Sequence, residues 1–338
     1  MSQLPPFLEP LDKQLPGQPS TQPVHYRNAV FRHKHVAALS HALWWPSQTD
    51  SKNFLIFVTG ILLISCCDMY AADTDCSGNP GLLDFYTPFL TAIHDKAQGG
   101  ISILGHALIG HTPGIEYPDA GTSATSLTAQ VEGLVEIVDA VKSHSEKLTV
   151  VGHSMGSWLT MQALKARPEH VDSVILLFPT ICHIADTPNG HKLSNIFRPP
   201  IPSIVSWSSV FTRILPSQAL AMLFKEWPVE QLQVLRGLLN SPTSIYNALN
   251  LANDEMNTIK EPDVALLQQY RHRIHLYFGE ADDWVGKQKD TIVKAFEADA
   301  ENIKVVHGHP DIPHSFCINH GEAVAEQCYE WLQSSGCV

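Results

Sequence analysis

Two glycines flank a serine at a spacing of two residues: Gly152-His153-Ser154-Met155-Gly156. An apolar run, Leu148–Val151, ends just before this pentapeptide, and helical spacing begins at Met155. A strand that turns sharply into a helix holds a serine hydroxyl clear of the sheet, while the glycines keep neighbouring side chains from colliding. The next N–H, that of Met155, and the helix N-terminus then lie beneath an oxyanion developing on a bound carbonyl. The pentapeptide alone is weak evidence, and a serine that merely caps a helix is the plain alternative. The strand before it and the helix after it favour a nucleophile.

A neutral hydroxyl attacks poorly and needs a base, itself oriented by an acid. Where serine stands on such an elbow, the acid and then the histidine follow it in the chain. The loop after the apolar run Ile274–Phe278 carries Glu280, Asp282 and Asp283. After Ile303–Val306 come His307, His309, His314 and His320. His307 lies too close to the strand end, and His320 falls at the start of the last helix. His314, on a loop held by Pro313, is preferred to His309. The chemistry these residues suit is acyl transfer through a serine ester.

These groups need a scaffold that brings distant loops to one edge. Residues 24–45 read as two strands, and Phe54–Val58, Ile101–Leu104, Leu148–Val151, Val174–Phe178, Ile274–Phe278 and Ile303–Val306 as six more. Leu127, Val131, Leu134, Val138 and Val141 recur at steps of three and four, as do Val324, Cys328, Trp331 and Leu332 at the end of the chain. Apolar strands alternating with helices predict an α/β fold, a mostly parallel eight-stranded sheet with helices on both faces. The alternation breaks after the sixth strand. Residues 183–270 therefore read as a mainly helical, apolar cap, set between core segments 24–182 and 271–338. Residues 1–23, with six prolines, read as a flexible tail.

Composition narrows the function further. The 338 residues carry 22 basic and 34 acidic side chains, a net charge of −12, which argues against a nucleic-acid binder. Seven irregularly spaced cysteines behind a polar, proline-rich start suggest reduced thiols inside the cell. Paired histidines such as His33/His35, His106/His111 and His307/His309 lack a completing ligand at a usual spacing, so neither a metal nor a cofactor is expected. No uninterrupted apolar run is long enough for an ordinary membrane span. Between Pro199 and Phe224, however, the sole charge is Arg213. Trp207, Phe211, Leu215, Leu223 and Phe224 there are candidates for lipid contact, against the plainer reading of a lid packed on the core.

Taken together, "LLDFYTPF", "GHALIGH", "TVVGHSMGSW", "ILLFPTICHIADTPNGHKLS", "YFGEADDWV" and "DIPHSF" resemble the lipid droplet-associated hydrolase family of α/β-hydrolases. The resemblance spans about 50 to 335. It implies a triad of Ser154, Asp282 and His314. The family has a glycine after its acid where this chain has Asp283, so alignment to Trp284 selects Asp282. It further implies an esterase-like enzyme acting on lipid or sterol esters at a lipid droplet monolayer or endoplasmic reticulum surface, not secreted, with a role in lipid storage. A weakly active or non-catalytic droplet-binding protein is the alternative, and a soluble thioesterase or peptidase on the same fold is a third. Ser154 disfavours an epoxide or haloalkane hydrolase, which would place Asp there. Acyl and alcohol specificity and oligomeric state are not legible.

One stretch interrupts the pattern. Phe54–Val58 leads into Thr59-Gly60, but Gly78-Asn79-Pro80-Gly81 follows only after residues that include Cys66, Cys67 and Cys76. Removing the eighteen residues 61–78 restores the resembled loop, whose N–H at Asn79 would be the second oxyanion donor. Gly60 and Gly78 are both candidates for its first glycine. The insert reads as a translated intron or a lineage-specific loop.

Overall fold

Short apolar runs that cannot tolerate water on either side become the strands. The computed structural model describes residues 4–18, 25–61, 81–115, 122–214, 216–296 and 304–338. Among them, β1 (Glu9–Pro10), β2 (Arg27–Arg32), β3 (Leu39–Trp45), β4 (Asn53–Val58), β5 (Ser102–His106), β6 (Lys147–His153), β7 (Ser173–Leu177), β8 (Ile274–Phe278) and β9 (Lys304–His307) form one sheet. Its order is β1-β2-β3-β5-β4-β6-β7-β8-β9. The β1, β2 and β3 ladders and the β3–β5 pair are antiparallel. Every pair from β5 through β9 is parallel.

The helices are α1 (Thr87–Lys96), α2 (Leu127–Lys142), α3 (Met155–Ala166), α4 (Pro188–Leu193), α5 (Ile201–Ser208), α6 (Ser217–Leu223), α7 (Val229–Leu239), α8 (Pro242–Thr258), α9 (Val264–Gln269), α10 (Gln288–Lys294) and α11 (Gly321–Ser334). Side chains alternate across a strand, so contacts along β6 assign the faces. Thr149 meets Cys337, just beyond α11, through its Oγ1 at 3.3 Å from Sγ. Gly152 faces α3, its missing Cβ lying against Gly156 and Ser157. Thus α11 and α3 cover opposite faces; α1 packs with α11, and α2 with α3. Leu55, Ile56 and Phe57 of β4 are fully buried between these layers. Each such side chain contributes about 1.5–3 kcal/mol of burial.

Three expectations are revised. The sheet has nine strands among the described residues, not eight. The extra one is β1, two residues whose pairing with Val30 and Ala29 comes from across the sheet edge rather than from local pattern. For the same reason the N-terminal segment is no free tail where it is described. Leu8 joins the main core, and Leu15 packs with Val30 and Ile115. The third revision concerns the segment between β7 and β8. It is helical, α4 to α9, but its apolar residues do not all share one surface. Leu220 is buried, and Phe224 is half-buried against Trp227 at a ring separation of 5.0 Å. Leu215 lies outside the described residues.

The core also buries histidines, with a consequence for stability. Burial pushes His106 down to about 3, and His111 and His275 down to about 4. Both ring nitrogens of His106 lack a hydrogen-bond partner among the described residues. A histidine depressed in the folded chain supplies stability that is complete above the unfolded value near 6.5 and is lost as pH falls toward the folded value. By pH 4.5 the loss from His106 alone is about 2–3 kcal/mol. Burial raises Glu255, which opposes this, but burial also depresses His33, His41 and His153. The urea midpoint is expected to fall steeply between pH 6.5 and 4.5; a flat profile there would contradict it.

Candidate active site

The β6–α3 turn shows what the two glycines do. Ser154 adopts φ 55° and ψ −124°, a left-handed backbone conformation that costs a non-glycine residue about 1–3 kcal/mol. The turn is over-determined around it. Ser154 N–H donates to the Leu177 carbonyl at 2.9 Å, and its own carbonyl accepts from Ser157 N–H at 2.9 Å. A Cβ on Gly156 would stand 2.5 Å from the Val58 carbonyl oxygen, and one on Gly152 would strike Gly156 itself. Met155, fully buried, opens α3, so its N–H is among the donors a helix leaves without an internal partner.

Register brings the next loop alongside. Val58 at the end of β4 pairs with Gly152 of β6. Gly60, two residues on, lies against the serine, where an added Cβ would sit 2.5 Å from Ser154 Cβ. Of the two candidate glycines, Gly60 therefore flanks Ser154; Gly78 and Asn79 lie outside the described residues. Gly81 (φ 79°) returns to the same point, its missing Cβ directed 2.7 Å from the Gly60 carbonyl oxygen. Gly60 and Gly81 therefore lie side by side, with Ile61 buried in the core. Gly60→Ala is expected to displace Ser154 and to lower kcat/KM for ester substrates about 100-fold with the fold intact. A wild-type value would contradict that placement.

The loop after β8 turns Asp282 inward and Asp283 outward. Asp282 Oδ1 accepts from the N–H groups of Trp284 and Val285 at 2.8 and 3.2 Å. Its Oδ2 accepts from His314 Nδ1 at 2.7 Å, both side chains being buried. Asp283 instead faces solvent, with Lys192 at 3.7 Å, while its carbonyl accepts from Asn189 N–H at 3.0 Å. That last bond docks the Thr187-Pro188-Asn189-Gly190 turn on the acid loop. Thr187 caps α4, accepting from Gly190 N–H at 3.0 Å. Since the carboxylate can only accept, His314 Nδ1 carries the proton. Nε2 is then the bare nitrogen, buried and without a partner among the described residues. His309 is exposed and paired with Asp311 at 3.3 Å. His307 ends β9, and His320 precedes α11.

Sequence reasoning missed two residues at this site, Tyr86 and His153. His153 Nε2 lies 2.9 Å from the His314 carbonyl oxygen, and its Nδ1 lies 2.6 Å from Tyr86 Oη. A carbonyl only accepts, so Nε2 holds the His153 proton and Nδ1 accepts from the tyrosine hydroxyl. Burial first, and the neighbouring His314 second, hold His153 well below the usual histidine range. In the pentapeptide it stood as a spacer, and no sequence signal marks its partners.

A twisted, mostly parallel sheet with a serine elbow after β6, an acid after β8 and a histidine after β9 defines an α/β-hydrolase. Solved structures agree on the fold. The crystal structure of a membrane phospholipase A, described as a bacterial virulence factor, superposes with a TM-score of 0.60 at 13% identity, covering 92% of this chain and 87% of that one. The chain belongs to the family described as lipid-droplet associated hydrolase, whose model matches residues 76–317. Relatives called lipid droplet-associated hydrolase in Pongo abelii and Homo sapiens are each 28% identical over 285 residues, 76% of this chain and 82% of theirs.

Proposed function

We propose that the chain is a serine carboxylic-ester hydrolase acting on lipid or sterol esters at the lipid droplet surface, with a role in lipid storage. The observation that carries the reading is the 2.7 Å His314–Asp282 pair, buried on loops at the edge of the sheet where the Ser154 elbow stands. In this reading Ser154 Oγ attacks the ester carbonyl carbon while His314 Nε2 takes its proton. The tetrahedral oxyanion is held by the N–H groups of Met155 and Asn79, the latter by resemblance to the family loop. Collapse breaks the acyl–oxygen bond, and His314 returns the proton to the departing alcohol. Water, deprotonated by the same nitrogen, then releases the fatty acid and restores Ser154. Asp282 holds the imidazole in the required tautomer throughout. The chemistry calls on no cofactor. Mixing the protein with a p-nitrophenyl ester should give a burst of p-nitrophenol equal to the protein concentration. No burst and no turnover, with or without a lipid emulsion, would contradict the reading.

The helical segment 183–270 supplies the surface, acting as a cap that both covers the site and meets lipid. Trp207, Phe211, Ile214, Met222, Leu223 and Val229 are 52–81% exposed. Among the described residues no helix is long and apolar enough to cross a membrane. A patch of this kind suits shallow insertion into a phospholipid monolayer, on the droplet or on the endoplasmic reticulum. Besides the Asn189–Asp283 bond, side-chain amides tie the cap's base to the core. Asn247 Nδ2 donates to the Gly110 carbonyl at 2.7 Å, and Gln231 Nε2 to the Phe85 and Cys317 carbonyls at 3.3 and 3.2 Å.

The same patch supports the second reading, a droplet-binding protein with little turnover. Replacing Trp207, Phe211 and Ile214 together by Ser is expected to weaken partitioning onto phospholipid-coated triolein emulsions at least about tenfold, since each buried large side chain is worth more than 1 kcal/mol. Flotation of the emulsion measures it. Equal binding of the triple variant and the unmodified protein would remove the patch from the account.

A further inference from the structure

His153 and Tyr86 have no step in the reaction just described, yet both are buried and directed at its base. The His314 carbonyl accepts from His153 Nε2–H at 2.9 Å, and Tyr86 Oη–H donates to His153 Nδ1 at 2.6 Å. The His153 ring is boxed by Tyr86, Phe178, Phe316 and His314, with centroids 5.1–5.8 Å away. Phe316 in turn stacks on Phe178, 5.5 Å apart and within 10° of parallel. His153 is also the residue immediately before Ser154. One rigid imidazole therefore joins the nucleophile's elbow to the main chain of the histidine loop, while Asp282 grips that histidine's ring from the other side.

We propose that Tyr86 and His153 are positioning residues that fix the His314 main chain relative to the Ser154 elbow, and so aim His314 Nε2 at the serine. The inference rests on the reading of Ser154 and His314 as nucleophile and base. Asp282 holds the His314 ring through Nδ1 and makes no bond to the His314 main chain. The His153 donor holds that main chain at its carbonyl, and the tyrosine hydroxyl keeps the donor on the correct nitrogen. An error of about 1 Å in the placement of a catalytic group costs about 100-fold in rate.

The test uses the full chain, with active sites counted by a fluorophosphonate and kcat and KM measured on a short p-nitrophenyl ester. His153→Phe fills the aromatic box but has no donor. It is expected to lower kcat per titrated site about 100-fold with KM changed less than about threefold. His153→Gln, whose amide N–H can take the place of Nε2–H, should recover about tenfold of that loss. Tyr86→Phe keeps the ring and should lose about tenfold in kcat. Wild-type kcat per titrated site in either phenylalanine variant, or loss seen only as fewer titratable sites, overturns the proposal. If His153→Phe does not fold, Tyr86→Phe decides alone. Unmodified protein that neither titrates nor turns over ester fails the reading of Ser154, and the relay with it.

Discussion

Ser154→Ala is expected to lower ester turnover by about 10⁴–10⁶-fold while leaving the fold and the thermal midpoint close to unchanged. Removing Oγ removes the atom that would form the acyl-enzyme, and among the described residues no cysteine is placed to replace it. The described cysteines, Cys182, Cys317, Cys328 and Cys337, are all buried, and burial raises three of them, Cys182, Cys328 and Cys337, away from the thiolate. The hydroxyl makes none of the main-chain bonds that hold the elbow: Ser154 N–H donates to the Leu177 carbonyl, and the Ser154 carbonyl accepts from Ser157 N–H. Alanine keeps the Cβ, so the strained backbone is as costly as before. The comparison is made with matched short-chain esters on purified protein. Activity within tenfold of the unmodified chain would place the chemistry elsewhere.

Asp282→Asn should lower kcat about 10³–10⁴-fold, and Asp283→Asn should change it by less than about threefold. The two residues are neighbours and carry the same charge, so the contrast tests geometry rather than electrostatics at large. Asp282 Oδ2 accepts from His314 Nδ1 at 2.7 Å, which leaves the other nitrogen as the one able to accept a proton. An amide nitrogen at that position donates instead, and the imidazole moves its proton to Nε2, where it can no longer accept the serine's. Asp282 Oδ1 is already committed to two main-chain N–H groups, so rotating the amide to present its oxygen leaves two donors facing an NH₂. The Asp283 carboxylate meets Lys192 in solvent, and an exposed pair of that kind contributes little. Equal losses from both variants would refute the assignment.

How much of this was legible in the sequence varies with the range of the forces involved. Leu148–Val151 and Phe54–Val58 announced themselves because a strand covered on both faces must be apolar throughout. The Ser154 elbow was readable because its steric demands fall within five residues. β1 was not, since two residues of strand at Glu9–Pro10 are imposed by Val30 and Ala29. Asp282 and Asp283 could be separated only by resemblance, as the turn that points one inward is closed by Trp284 and Val285 N–H groups rather than by any residue type. Residues 199–224 left lipid contact and core packing both open for Phe224, because a stretch apolar on every side carries no periodicity to mark its buried face. Tyr86 and His153 stand 67 residues apart and meet through one hydrogen bond, which leaves no local trace.

The interruption after β4 reads more sharply in three dimensions. Gly60 is held against Ser154, and Gly81 against Gly60, so the two described ends of the loop meet beside Ser154.

The central claim is that Ser154 is a nucleophile activated in place. The direct measurement is intact-mass analysis of the native chain after exposure to a fluorophosphonate, followed by peptide mapping. The account predicts one adduct per chain, on Ser154, formed in the folded protein and abolished by prior unfolding. An unlabelled native chain, or an adduct on another residue that persists in Ser154→Ala, would contradict it.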